Sequence, residues 1–205
     1  VYKRQVYGLD ALGTANSCTA EVIVPEVPEV GNFEAVWDTA TSKGDTQIAG
    51  TSTNSSITVT DFVLTASAEN ISGTKWADFA AVGWDVNTAA NKLSSPVQYY
   101  LTTLTVGSGK LLVLSGMDIE QRINGGDVTL SVQYALNGGA YTEIEAILLT
   151  SSSEPFTVNL GKVSALKSLA EGTTVTIRLV PIATNASTKW GIKKGSRLAI
   201  YGNAE

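Results

Sequence analysis

The 205-residue chain has no histidine and a single cysteine, Cys18. Without histidine there is no Ser/His/Asp or Cys/His arrangement and no His-ligated zinc, and one cysteine cannot close a disulfide within the chain. Cys18 itself reads as a small buried or strand residue. Charge is also scarce: 16% of residues are charged, against about 25% in an average globular domain, while Thr, Ser, Gly and Asn are plentiful. Solvated β surfaces have this composition. The net charge is −5 and no lysine or arginine cluster occurs, so there is no basic footprint for a phosphate backbone and nucleic acid is not an expected partner. No apolar run approaches the roughly 18 residues of a spanning helix, and the longest, such as residues 111–114, are of strand length. No membrane span is expected.

What is present is a 43% hydrophobic chain, enough for a packed core, written with a period of two. Residues 128–136 are the clearest case: Val128, Leu130, Val132, Tyr134 and Leu136 share one face and Thr129, Ser131 and Gln133 the other. Asn137-Gly138-Gly139 follows, residues that accept positive φ and so predict a hairpin into a strand over 141–149. Phe156, Val158 and Leu160 alternate with Thr157 and Asn159, and Val175, Ile177 and Leu179 with Thr176 and Arg178. Further strands are expected over 33–37, 57–65, 97–106, 110–119 and 197–201. Residues 163–169 alone suggest a helical turn, with Val163, Leu166 and Leu169 at spacing three. One apolar and one polar face per strand predicts antiparallel sheets packed as a sandwich.

The N-terminal part divides into three pieces. Residues 1–5 are what GTG TAT AAG AGA CAG encodes, which resembles the end of a transposon adapter used in sequencing-library preparation; on that reading the reading frame is cut ahead of Val6 and the missing leader says nothing about localisation. Residues 6–25 read as two strands around a turn punctuated by Gly13, too small to bury a face alone. Tyr7, Ala11, Gly13, Val22, Val24 and Pro25 resemble the closing segment of a fibronectin type III-like domain, implying the C-terminal fragment of such a domain. Residues 26–31, with Pro28 after Pro25 in an acidic stretch, form an extended linker, and 32–205 form the main domain.

The main body resembles a family of export-associated jelly-roll domains, similar to carbohydrate-binding modules, of bacterial surface and secreted proteins. The resemblance is carried by Val36-Trp37-Asp38, Gly83-Trp84, Tyr99-Tyr100, the Leu-rich run 111–115, the Val132, Tyr134, Asn137, Gly138, Gly139 pattern, and a closing strand ending at Tyr201-Gly202. It implies an all-β, antiparallel jelly-roll-like β-sandwich with an accessory role and a secreted or cell-surface location. The family closes with an Asp-Asn pair before its last strand; Lys193-Lys194 stands there, which puts an acidic structural or calcium role at that place in doubt.

Candidate chemistry is sparse. The carboxylate pairs Asp118/Glu120 and Glu143/Glu145 each lie at spacing two, on one face of a strand, where a solvated sheet surface competes with an acid–base pair. Trp76, Trp84 and Trp190 sit in or beside polar, loop-like segments and could stack on the apolar faces of sugar rings, or could instead cap the core. Trp37 reads as core. Asp38, Asp45 and Asp85 are weak candidate ligands for a structural calcium, without a Asp-x-Asp-x-Asp spacing; no other cofactor is expected. The expectation is therefore a non-enzymatic extracellular module that binds polysaccharide or another surface ligand. The alternative is a structural or adhesive subunit that self-associates by donating its N-terminal segment as a strand, and an acid-pair glycosidase ranks third.

Overall fold

The computed structural model describes residues 6–9, 15–18, 28–39, 46–65, 69–70, 79–88, 92–150 and 155–205. The adapter-like residues 1–5, residues 26–27 of the linker, Asp45 and Trp76 lie outside these. In chain order the strands are β1 (Val6–Leu9), β2 (Ala15–Cys18), β3 (Phe33–Asp38), β4 (Gln47–Ile48), β5 (Gly50–Ser52), β6 (Ile57–Val59), β7 (Phe62–Leu64), β8 (Glu69–Asn70) and β9 (Phe79–Val82). They continue with β10 (Tyr100–Val106), β11 (Leu112–Asn124), β12 (Val128–Leu136), β13 (Thr142–Leu149), β14 (Pro155–Asn159), β15 (Thr174–Ala183), β16 (Lys189–Ile192) and β17 (Arg197–Ala204). Among the described residues the helical pieces are the 3-10 turns Trp84–Val86, Leu160–Lys162 and Ser164–Leu166, the last of them within the 163–169 segment where the sequence suggests a helical turn.

The protein is all-β, an antiparallel sandwich of two sheets. One has seven strands in the order β13-β12-β15-β10-β7-β4, with β6 also on β10; the other has eight, β5-β3-β17-β11-β16-β9-β8, with β14 also on β11. After β10 the chain alternates between the sheets in jelly-roll fashion, crossing to β11, back to β12 and β13, over to β14, back to β15 and over again to β16 and β17. β1 and β2 pair with each other as a separate two-stranded sheet, Val6 opposite Cys18 and Leu9 opposite Ala15.

Alternation decides which side chains meet. Val128, Leu130 and Val132 of β12 and Val175, Ile177 and Leu179 of β15 are all buried, and from the other sheet Leu112, Leu114, Met117, Ile119, Leu198 and Ile200 join the same core. Each such side chain contributes about 1.5–3 kcal/mol by leaving water. The predicted hairpin forms as expected: Asn137 and Gly138 have φ of 52° and 71°, which fits the right-handed twist of β12 and β13, and Asn137 Oδ1 accepts from the Thr174 backbone N–H at 2.9 Å.

Two expected strands are interrupted for identifiable reasons. The segment 57–65 breaks into β6 and β7 at Thr60, whose carbonyl accepts from the Trp37 indole at 2.9 Å and from the Thr102 hydroxyl at 3.0 Å, so it serves the core aromatic instead of a ladder. β10 starts at Tyr100 because Val97 and Gln98 are held outside it by Asn87, whose Oδ1 accepts from both backbone N–H groups and whose Nδ2 donates to the Gln98 and Pro181 carbonyls at 2.7 and 2.9 Å. Phe79–Val82 and Lys189–Ile192, strands the sequence does not announce, are short and lack alternation.

Close approach at Gly202 fixes the middle of the eight-stranded sheet. Gly202 pairs with Phe33 on one side and Leu114 on the other, and a methyl group there would run into the Val113 carbonyl. Since that obstacle is backbone, Gly202→Ala is expected to cost about 3 kcal/mol. Gly138→Ala, with open space around it, costs about 1 kcal/mol through its positive φ alone. Urea unfolding midpoints of the two variants check this order.

Candidate functional site

The structure puts two of the three expected stacking tryptophans inside the core. Trp84 and Trp190 are each 0% exposed. The 3-10 turn after Gly83 points Trp84 inward, where its indole donates to the Ala81 carbonyl at 2.8 Å; Trp190 is held by β16, which pairs with both β11 and β9. Their rings meet edge to face at 6.4 Å and both lie against Tyr100, at 5.5 and 5.4 Å. No sugar ring reaches them, so they cap the core and do not form a platform. Trp37 is core, as expected.

Of the calcium candidates, Asp38 and Asp85 are among the described residues and Asp45 is not. Among the described residues no three Asp, Glu or Cys side chains gather in a way that would hold a metal ion. Asp38 ends β3 opposite Arg197, whereas Asp85 is exposed on the 3-10 turn Trp84–Val86.

The carboxylate pairs part company. A register shift in the β12–β13 ladder sets Glu143 against Gln133 and Glu145 against Val132, so Glu143 and Glu145 do not share a face as alternation suggests. Glu143 Oε2 accepts from Ser131 Oγ at 2.5 Å and pairs with Lys92 at 3.0 Å; Glu145 pairs with Lys162 at 2.6 Å. Asp118 and Glu120 do share the outer face of β11, and they line a groove.

That groove, about 690 Å³, crosses the outer face of the eight-stranded sheet. β3 supplies Val36 and Asp38, β11 supplies Asp118 and Glu120, β14 supplies Pro155, Phe156 and Thr157, and the turn into β17 supplies Gly195, Ser196 and Arg197. Its polar groups are already positioned. Asp118 Oδ1 accepts from Thr157 Oγ1 at 2.7 Å and from the Tyr201 phenol at 3.2 Å, Glu120 is paired with Lys193, and Arg197 with Glu34 at 3.0 Å. Pro155, opposite Glu120, gives one wall its apolar part, whereas the Phe156 side chain lies opposite Ile119 and packs on the core. Tyr201, 3% exposed, lies over Gly116, which has no side chain to displace it; a Cβ at Gly116 would sit 2.5 Å from the ring.

A second polar cluster, not foreseen from the sequence, occupies the outer face of the seven-stranded sheet. Alternation places Arg178 outward, yet it is only 4% exposed. Its guanidinium lies 3.5 Å from the ring centroid of Tyr141 and 5.2 Å from that of Tyr99, and it donates to Gln133 Oε1 at 2.8 and 2.5 Å and to the Leu93 carbonyl at 2.9 Å. Gln133 in turn donates to Ser131 Oγ at 2.9 Å and to the Lys92 carbonyl. Burial pulls the Arg178 pKa below its ordinary value, against the opposing effect of the two phenols. The cluster fastens residues 92–93 to the sheet over Gln133 and Arg178. Only the adjacent Tyr99-Tyr100 and the lone arginine in an apolar strand could have hinted at it.

Burial pushes the Tyr201 phenol up to about 12, with the Asp118 charge adding to the effect. The unfolded phenol titrates near 10. Because the folded pKa is the higher, the folded state holds the proton more tightly, and stability present below pH ~10 is lost as pH rises toward ~12. Tyr201→Phe is expected to flatten this loss, read from thermal melts across that range, and to remove the latest-ionising fraction of the tyrosinate absorbance measured in the folded protein, apart from that of the buried Tyr100. Compared with known proteins, the chain matches no family model and no curated sequence.

Proposed function

We propose that the chain is a non-catalytic binding module of a secreted or cell-surface protein, and that it holds a polysaccharide strand in the groove on the outer face of the eight-stranded sheet. The observation that carries this reading is the state of the groove's polar groups. Asp118, Glu120 and Arg197 are each held by a neighbour before any ligand arrives, so hydroxyl groups would meet fixed acceptors and donors without the cost of ordering them. Pro155 offers an apolar surface for the CH face of a sugar ring. The same engagement disfavours catalysis: Glu120 is tied to Lys193 and Asp118 to a threonine and a phenol, whereas an acid–base pair needs one carboxyl free to donate a proton. Tryptophan stacking plays no part in this reading, with Trp84 and Trp190 sealed in the core.

Affinity electrophoresis against a panel of neutral and acidic polysaccharides, followed by calorimetry on those that retard the chain, tests the proposal. Asp118→Ala is expected to weaken binding about tenfold, equivalent to about 1.4 kcal/mol. Trp84→Phe and Trp190→Phe should lower the melting temperature and leave the affinity unchanged. Unretarded migration across the whole panel, or release of reducing ends from a glycan that binds, would overturn the reading.

A further inference from the structure

Sheet edges expose unpaired N–H and C=O groups, and proteins protect them by keeping edge strands short or by placing charge or proline on them. Most edges here follow that rule. β4, β5 and β8, the described edge strands at the other ends of the two sheets, have two or three residues each, and the five-residue β14 begins with Pro155. β13 is the exception: it runs for eight residues, and among the described residues β12 is its sole strand partner.

The two halves of β13 differ. The first carries Glu143 and Glu145, neutralised by Lys92 and Lys162. The second, Ala146-Ile147-Leu148-Leu149, has no charge at all. Ala146 and Leu148 lie opposite Ser131 and Thr129 on the outer face, both exposed, Leu148 to 65%. Ile147 and Leu149 face inward, opposite Leu130 and Val128, and with Leu148, Pro155 and Phe156 they line a cleft of about 220 Å³ where the two sheets part.

We infer that the second half of β13 is a dimerisation edge, and that a second copy of this chain pairs with it antiparallel about a two-fold axis at Ile147. The register argues for this occupant. With Ile147 opposite the partner's Ile147, each exposed Leu148 faces the partner's Ala146, so the two solvent-facing apolar side chains cover each other twice over. Glu145 then stands opposite the partner's Leu149, and the acidic residues of the two strands lie at opposite ends of the pairing. Centring the pairing on Glu145, or running the strands parallel and in register, would bring like charges side by side. The two-fold uses the β13 edge of both copies at once, so the assembly closes as a dimer and leaves no β13 edge for a fibre. The groove lies on the other sheet, and the pairing does not depend on what binds there.

Sedimentation velocity of the whole chain over a range of concentrations tests this. The expected result is a reversible shift from 21.5 kDa to twice that mass. Leu148→Lys should weaken the dimer at least tenfold while the far-ultraviolet spectrum and melting temperature of the monomer are kept, because the side chain it replaces is mostly in water. In a Cys18→Ser background, Ala146→Cys combined with Leu148→Cys should give a covalent dimer on mild oxidation, since directly opposed residues bring their Cβ atoms within about 4.5–5.5 Å. A monomer at every concentration, a dimer that Leu148→Lys leaves intact, or a double-cysteine variant that stays monomeric when oxidised would each overturn the inference.

Discussion

The arrangement depends on Tyr100. It is 0% exposed, on β10 of the seven-stranded sheet, and its ring is stacked on Phe62 at 5.4 Å with 6° between planes. Phe79 and Trp190 of the eight-stranded sheet close around it at 5.2 and 5.4 Å, and Trp84 at 5.5 Å. One side chain therefore joins both sheets and the turn between β9 and β10. Tilted and stacked aromatic pairs add about 0.5–1.5 kcal/mol each beyond the area they bury, and several converge on this ring. Burial also raises the Tyr100 phenol well above its ordinary pKa, which keeps it neutral in the core. The consequence for function is direct. Trp84 and Trp190 are spent on joining the sheets, and surface recognition must be done by other residues.

That outcome was only half legible in the sequence. Strand β12 and its Asn137-Gly138 turn were readable because alternation and turn chemistry are local, and they fall where the pattern puts them. β9 and β16 were not, because Phe79-Ala-Ala-Val and Lys189-Trp-Gly-Ile have no polar alternate and become strands only by pairing with each other and with β11, at large sequence separation. The polar neighbours of Trp84 and Trp190 suggested loops, and composition left a stacking platform and a cap on the core as alternatives. The fold buries both through contacts that no local pattern encodes.

The groove was legible in part for a similar reason. Spacing two put Asp118 and Glu120 on one face, which the structure bears out, but the same argument failed at Glu143 and Glu145, where a register shift breaks the alternation. Spacing says nothing about which strands lie beside β11. Thr157 and Tyr201, which hold Asp118, come from β14 and β17, and Arg197 is the first residue of β17. A site built across neighbouring strands becomes visible only once the strand order is known.

The two outer faces show why the groove is where it is. On the seven-stranded sheet, Arg178 between Tyr99 and Tyr141 draws in the carbonyls of residues 92 and 93 through Gln133 and its own Nη2, and this segment covers the sheet around those two side chains. A buried guanidinium with every described contact made to neutral groups is tolerated because two π faces and carbonyl dipoles solvate it, a costly arrangement that nonetheless fixes the segment in one place. On the eight-stranded sheet the outward Ala199 is fully buried, and Val36 keeps partial exposure between charged side chains that are paired along the rim. Both surfaces follow from the outward positions of the same alternating code. A long cation among phenols pulls backbone onto one sheet, and on the other the outward charges settle against one another.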